Sequence, residues 1–152
     1  MPIHLSITIK APPQAVFDAV TDLTSYSKWL PQSSAFKGTT KISDNPIKLG
    51  TTYIEDGPAG VRKGEVVEYD APHQVTFHQP MSLKPYVFGL VLDVRVQMKF
   101  REDGGQTILD RDISLGVPWV LSIFKLVIEN EFRRESWRTL ELLKEYCENG
   151  GQ

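Results

Sequence analysis

One arginine stands on a strand face whose neighbouring members are apolar. In the segment TILDRDISL, at 107–115, Leu109 and Ile113 fall in phase with Arg111. Successive side chains of a strand point to opposite faces, so a strand with this face buried carries the guanidinium inward. A register slip of one residue would bury Asp110 and Asp112 instead, which costs more. We therefore predict that Arg111 faces the interior.

A buried guanidinium needs an acceptor, because it keeps its charge at physiological pH. A protein carboxylate is one choice, and the sequence offers Glu55, Glu65 and Glu129. The polar head of a bound ligand is the other choice. Both remain open at the level of sequence, and the second makes Arg111 a ligand-binding residue.

Two carboxylates lie on neighbouring strands of one predicted hairpin. Because side chains alternate, Glu55 faces a cavity if Tyr53 does, and Glu65 comes from the partner strand. A buried carboxylate has a raised pKa and can serve as a general base. Glu55, Glu65 and His78 are therefore the catalytic candidates, acting as acid and base beside Arg111. A solvated or salt-bridged hairpin explains the same residues without catalysis.

Other site chemistries find little support in the sequence. The histidines are scattered at His4, His73 and His78, and neither Cys-x-x-Cys nor His-Glu-x-x-His occurs, so no metal site is predicted. Glycine-containing turns lie between strands rather than before helices, which disfavours a phosphate loop. The lone Cys147 ends a helical stripe and is expected to pack as a small apolar side chain. No cofactor is predicted.

Composition sets broad limits on function. The 152 residues suit one domain, predicted to span 1–152, and the net charge of −2 gives no electrostatic reason to bind nucleic acid. One cysteine suits a reducing compartment, and the N-terminus lacks the pattern of a signal peptide, so a cytoplasmic location is expected. The longest apolar stretch, 86–92, is too short to span a bilayer. Nothing in the sequence indicates an oligomeric state.

The elements that position these residues follow from hydrophobic periodicity. Ile3 to Ile9 alternates apolar and polar residues, which predicts a strand. Two prolines then open a helix at 14–23, and a second short helix ends at Trp29-Leu30, before a further proline. Six more strands are predicted at 36–42, 51–56, 62–69, 73–79, 86–100 and 107–115.

One long helix is predicted to end the chain. Between 118 and 148, apolar residues recur every three or four positions, and Asn149-Gly150-Gly151 follows as a stop signal. Strands that come in hairpins give an antiparallel sheet. The predicted fold class is therefore α+β, with a curved antiparallel sheet of about seven strands around the long C-terminal helix. The two short helices after the first strand are placed to cover a gap beside that helix.

Three segments resemble a known superfamily. They are APPQAVFDAVTDLTSYSKWLP at 11–31, GVRKGEVVEYDAPHQVTF at 60–77 and FRRESWRTLELLKEYCE at 132–148. Together with the order of elements, they are similar to the START-like helix-grip superfamily (SRPBCC), and within it to the polyketide cyclase/dehydrase-type branch. The resemblance implies a hydrophobic cavity between sheet and helix for lipids, polyketides, sterols, quinones or hormones. Some members are cyclases, and many bind and carry.

The residues predicted to bind a ligand come from the inner sheet face and from aromatic positions on the helices. Trp119 and Phe124, near the start of the long helix, are the aromatic residues best placed to line an opening. The full set is Arg111, Tyr53, Glu55, Phe88, Leu109, Trp119, Phe124 and Trp29.

Three functions remain, and binding or carriage of an apolar small molecule is favoured over catalysis. Binding needs an apolar cavity with few convergent polar groups. The second function is an enzyme of the cyclase/dehydratase type, a lyase or isomerase that uses polar residues of the cavity. The third is an interaction module without ligand, which a cavity filled by side chains would support. An unpaired carboxylate or histidine near Arg111 would favour catalysis, whereas Arg111 alone would favour binding.

Overall fold

The computed structural model describes residues 3–30 and 38–150. Its strands are β1 (Ile3–Ile9), β2 (Thr39–Thr40), β3 (Thr52–Gly57), β4 (Gly60–Asp70), β5 (Gln74–His78), β6 (Met81–Leu83), β7 (Val91–Asp103) and β8 (Gln106–Gly116). They form one antiparallel sheet in the order β1-β8-β7-β5-β4-β3-β2, and β6 pairs with β4 and β7.

The long strands show why one face of the sheet is buried. On β7 every second residue lies in the core, namely Leu92, Val94, Val96, Met98 and Phe100. The intervening side chains are mostly charged and lie on the opposite face, so burial of one face follows from period two. β7 turns into β8 at Gly104-Gly105, where both residues have positive φ (59° and 85°), as a two-residue hairpin requires.

Two α-helices accompany the sheet in the described ranges. The first, α1 (Pro13–Thr21), begins with proline in its first turn and is followed by a 3₁₀ segment, Leu23–Lys28. The second, α2 (Lys125–Glu148), packs against β1 and α1. Its buried residues, Ser136, Leu140, Leu143 and Cys147, recur every three or four positions. The prediction of an antiparallel sheet around one long C-terminal helix is confirmed.

The predicted strand at 86–100 is wrong at its N-terminal end. Tyr86–Phe88 form a 3₁₀ turn that starts after Pro85, and β7 begins only at Val91. Gly89 ends the turn with φ 63°, a left-handed conformation that glycine adopts easily. The alternation of apolar residues therefore continues through 86–88 without producing a strand or burying these side chains.

Other boundaries also differ from the sequence prediction. The chain at Trp119–Phe124 is a 3₁₀ segment, none of whose residues is buried, and the α-helix starts at Lys125. The strand predicted at 36–42 is limited to Thr39–Thr40, and residues 36 and 37 lie outside the described ranges. The short strand β6 was not predicted, because Pro80 interrupts the pattern that leads into it.

Candidate functional site

Two neighbouring cavities lie between the buried face of the sheet and α2. The first, here the outer cavity, has a volume of about 380 Å³. It is lined by Pro58, Ala59, Arg62, Met81, Leu83, Leu92, Ile128, Glu131, Phe132 and Glu135. Its walls are mainly apolar, and its charged residues belong to β4 and α2.

The second, here the inner chamber, has a volume of about 100 Å³. Its apolar lining is Val20, Leu23, Leu30, Phe77, Val96, Met98, Ile113, Phe132 and Leu143. Its other lining residues are Tyr26, Trp29, Tyr53, Glu55, Arg62, Gln79, Arg111, Glu135, Ser136 and Thr139. Arg62, Phe132 and Glu135 line both spaces, so they form the boundary between the outer cavity and the inner chamber.

Arg111 projects from β8 into the inner chamber. Its strand neighbours are Leu5 on β1 and Met98 on β7. The Nε atom is buried and has no hydrogen-bond partner in the part of the chain that the structure describes. Burial lowers the pKa of Arg111, and the nearby Tyr26 and Glu55 only partly oppose that effect. Among residues 3–30 and 38–150, no carboxylate lies within ion-pair distance of this guanidinium.

Glu55 forms an ion pair with an arginine other than Arg111. Glu55 on β3 and Arg62 on β4 are opposite each other in the strand pairing, and Arg62 Nε donates to Glu55 Oε2 at 3.0 Å. The side chains are only 13% (Arg62) and 12% (Glu55) exposed, so this is a largely buried ion pair. Glu135, the other carboxylate of the inner chamber, pairs with Arg138 at 2.7 Å. Both carboxylates are therefore paired with arginines other than Arg111.

Two tyrosines supply neutral hydroxyls to the inner chamber. The Tyr53 hydroxyl donates to Gln79 Oε1 at 2.7 Å, and the Tyr26 hydroxyl donates to the carbonyl of Val20. Burial raises the pKa of both phenols well above the usual value, and the nearby Glu55 adds to the effect. Both groups therefore stay protonated and act as hydrogen-bond donors.

Trp29 adds a second donor that no described residue accepts from. The residue is 7% exposed, and its indole Nε1 is buried without a hydrogen-bond partner among residues 3–30 and 38–150. The ring lies beside Tyr26, at a centroid distance of 5.0 Å, and stacks on Tyr146 of α2 at 6.3 Å. Buried donors are nearly always satisfied in proteins, so two orphans in the lining of one small chamber need an explanation.

Four residues predicted to bind a ligand line the inner chamber: Arg111, Tyr53, Glu55 and Trp29. Their placement follows from alternation on β3 and β8 and from the short segment that follows α1. Ligand binding by these four residues stays a prediction.

The predictions for Phe88 and Leu109 need correction. Phe88 is 69% exposed in the turn before β7 and lines neither cavity. Leu109 is fully buried on the part of β8 that α1 covers, and it lines neither cavity. There Phe17 packs on Phe100, the strand partner of Leu109, which fills the space.

Trp119 and Phe124 also lie outside both cavities. They are 85% and 51% exposed, in the 3₁₀ segment that links β8 to α2. The catalytic candidates Glu65 and His78 are cross-strand partners on the outer face of the sheet. His78 Nε2 lies 2.6 Å from Asp93 Oδ1 there, and neither candidate lines the inner chamber.

Sequence reasoning missed several polar residues of the site. Arg62 and Gln79 were detectable, because they fall in phase with the inward-facing Val66 and Phe77. Tyr26 gave no comparable signal, since it lies in a short 3₁₀ segment without clear periodicity. Glu135 is a charged helix residue, a type that sequence alone assigns to the solvent-exposed face.

Residues 3–148 match the model of a protein family described as polyketide cyclase / dehydrase and lipid transport. The chain belongs to this family. Membership supports a role in binding a hydrophobic small molecule at a coarse level and specifies no ligand. No curated protein matches the sequence.

Several solved structures superpose on almost the whole chain. Protein MLL2253 from Mesorhizobium loti has a TM-score of 0.73 at 15% identity, covering 95% of each chain. A point mutant of norcoclaurine synthase from Thalictrum flavum, in complex with a transition-state analogue, has a TM-score of 0.73 at 12% identity, covering 100% of this chain and 96% of its own. The Aha1 dimer from Colwellia psychrerythraea has a TM-score of 0.70 at 16% identity, covering 100% and 99%. At these identities the likeness establishes the START-like helix-grip fold alone.

Two negative findings apply to the part of the chain that the structure describes. No helix there is long and apolar enough to cross a membrane. No cluster of three or more histidine, cysteine, aspartate or glutamate side chains there is arranged to hold a metal ion. The expectation of a metal-free protein stays a prediction, which elemental analysis of the purified protein tests.

Proposed function

We propose that this protein binds an apolar small molecule whose polar head is a carboxylate or carbonyl group. In this proposal the apolar body occupies the outer cavity, and the head enters the inner chamber and accepts hydrogen bonds from Arg111. One observation carries the proposal. The buried Nε of Arg111 has no hydrogen-bond partner among the described residues, and the inner chamber that it faces adjoins an apolar cavity that a ligand can fill.

Burial of the Arg111 guanidinium carries an energetic cost. Removing a charged group from water is expensive unless it is paired and hydrogen-bonded. Arg111 lacks such a pair among the described residues, and burial already lowers its pKa. A ligand oxygen at this position would offset the cost, since a hydrogen bond to a charged group contributes about 1.5–3 kcal/mol.

Trp29 supports the same head group. Its orphan indole N–H and the Arg111 guanidinium line the same chamber, and both are donors. A carboxylate has two oxygens that accept hydrogen bonds, whereas an ammonium head accepts none. The inner chamber therefore favours an acceptor-bearing head and disfavours a cationic one.

The volumes fit a ligand with a small head and a larger apolar part. The outer cavity, at about 380 Å³, falls in the ordinary range for small-molecule sites, which begins at ~300 Å³. The inner chamber, at about 100 Å³, suits a carboxylate and a few attached carbons. No described side chain fills either space, which argues against an interaction module without ligand.

Binding accounts for the polar residues better than catalysis does. General acid–base chemistry needs a titratable group within reach of the substrate. Glu55 and Glu135 are paired with arginines, Tyr53 stays protonated, and His78 lies on the outer face. The described lining of the inner chamber therefore offers no free base.

Titration of wild type and of the variant Arg111→Met with two fluorescent probes tests the proposal. The probes are cis-parinaric acid, which is an apolar carboxylic acid, and its methyl ester. Methionine keeps much of the bulk of the arginine stem and removes the charge. We expect the variant to bind the acid about tenfold to a hundredfold more weakly, the loss of one charged hydrogen bond. The ester should lose less affinity than the acid.

Arg95→Met is the matched control, because Arg95 is exposed on the outer face of β7. It should bind both probes as wild type does. Equal binding of the acid by wild type and Arg111→Met would refute the anchoring role of Arg111. If wild type binds neither probe, the proposed ligand class is refuted.

A further inference from the structure

A cluster of exposed apolar side chains lies at one end of the molecule. Of the thirteen large hydrophobic residues that are exposed within the described ranges, ten fall in two segments, 84–91 and 117–127. We call these two segments the apolar rim. Its exposed members are Tyr86, Val87, Phe88, Val91, Trp119, Val120, Ile123, Phe124, Leu126 and Val127.

The two segments of the rim lie at the same end of the sheet. Segment 84–91 leads into β7, and segment 117–127 follows β8. β7 and β8 are antiparallel, and Asp93 pairs with Gly116, so the start of one strand is beside the end of the other. Segments that are distant in sequence therefore present their apolar side chains at one end of the protein.

The chemistry of the rim suits the surface of a lipid bilayer. Trp119 and Tyr86 are residue types that concentrate at membrane interfaces. Val87, Trp119 and Ile123 are 85%, 85% and 84% exposed, so they protrude rather than line a groove. Protruding apolar side chains insert among acyl chains, whereas a stable protein interface needs close shape complementarity.

Charge points to an anionic surface. The rim contains two charged residues, Lys84 and Lys125, and both are basic. The chain as a whole has a net charge of −2, so a rim without acidic residues departs from the overall composition. Lysines beside an apolar surface extend toward lipid phosphates and are attracted to anionic headgroups.

From these observations we propose that the rim docks the protein on membranes that contain anionic phospholipid. The rim also adjoins the outer cavity along the chain. Leu83 and Leu92 flank segment 84–91, Ile128 follows segment 117–127, and all three line the outer cavity. Docking would hold the outer cavity near the acyl chains and so give an apolar ligand a route into it. This role for the docked state rests on the proposed function. Docking itself does not depend on what the cavity binds.

Cosedimentation of the full chain with vesicles tests the proposal. One set of vesicles contains phosphatidylcholine alone, and the other contains equal parts of phosphatidylcholine and phosphatidylserine. We expect binding to the mixed vesicles to be roughly tenfold to thirtyfold tighter, the effect of two lysines at an anionic surface. Lys84→Gln with Lys125→Gln should remove most of that preference.

A second variant, Val87→Asp with Ile123→Asp, places charges at two protruding positions and should reduce binding at least about tenfold. Leu49→Asp is the control, since Leu49 is 64% exposed and lies outside the rim. Failure of wild type to sediment with mixed vesicles would overturn the proposal. A stable dimer in analytical ultracentrifugation that the double aspartate variant dissociates would assign the rim to a second copy and also overturn it.

Discussion

The phenol ring of Tyr53 fills the space above Gly64, its partner across the β3–β4 pairing. A Cβ atom at position 64 would lie 2.1 Å from Cζ of Tyr53 and would collide with the ring. The ring also packs edge-on against Phe77, and its hydroxyl reaches Gln79. Gly64 is therefore needed for the position of a side chain that lines the inner chamber.

Replacing Gly64 by alanine is expected to lower the free energy of unfolding by about 1–3 kcal/mol, the usual cost of overpacking a core. Urea denaturation measures the change. The same substitution in a Tyr53→Leu background should cost much less, because the ring that it meets is absent. Equal costs in the two backgrounds would contradict this account.

The sequence predicts the fold well where periodicity is strong. Alternation over Leu92 to Phe100 and the helical stripe that ends at Cys147 are both reproduced. Prediction fails where an apolar pattern continues into a segment that no other described element fully covers. Tyr86–Phe88 and Trp119–Phe124 carry apolar patterns, but the described structure leaves them exposed or only partly covered. Periodicity reports which residues share a face, and it does not report whether another element covers that face.

The site was only partly predictable for a related reason. Strand phase indicated that Arg111 faces inward, and that Tyr53 and Glu55 share a face. It could not reveal that Glu55 pairs with Arg62, because that depends on the register of β3 against β4. Nor could it separate Arg111, at the inner chamber, from Leu109, where α1 covers the sheet.

His4 should make stability depend on pH. A hydrogen bond with Asp112, together with the charge of that carboxylate, raises the pKa of His4 above its ordinary value of 6.5. The folded state therefore holds the proton more tightly than the unfolded state. The resulting gain in folding stability is fully present below pH 6.5, the ordinary pKa of histidine. It is lost as pH rises through the raised pKa of the folded state.

Urea denaturation across this range, for wild type and His4→Gln, isolates the effect. The difference in unfolding free energy between the two proteins should shrink as pH rises. Asp112→Asn should behave like His4→Gln, because it removes the partner that raises the pKa. If the difference in unfolding free energy grew with pH instead, the pKa of His4 would not be raised in the folded state.

Cys147 should react slowly with thiol reagents while the protein is folded. It is buried near the end of α2, and burial raises the pKa of its thiol to about 11. Only the thiolate is nucleophilic, so both access and ionisation oppose the reaction. Labelling with iodoacetamide, followed by mass spectrometry, should be slow in buffer and fast in urea. Equal rates in the two conditions would contradict burial of this end of the helix.

Glu55→Gln should destabilise the protein, because it removes the carboxylate that faces Arg62 in a largely buried pair. Breaking such a pair from one side costs about 3 kcal/mol or more, since the remaining charge stays buried. Glu131→Gln is the control. Its partner Arg134 is 73% exposed, and exposed pairs contribute at most about 1 kcal/mol. Urea denaturation should show a much larger fall in the free energy of unfolding for Glu55→Gln than for Glu131→Gln. Similar small falls for the two variants would show that the Glu55–Arg62 pair is effectively solvated.

Arg111→Met should have the opposite effect on the unliganded protein. Its guanidinium has no ion pair among the described residues, and the nearby Tyr26 and Glu55 only partly offset its desolvation, so its removal relieves a net cost. We expect the free energy of unfolding to stay unchanged or to rise by about 1 kcal/mol. Saturating cis-parinaric acid, at a hundred times its Kd for wild type, should then stabilise wild type by about 2.7 kcal/mol and the variant much less. A variant that is less stable than wild type without ligand, yet equally stabilised by the acid, would show that Arg111 supports the fold and not the ligand.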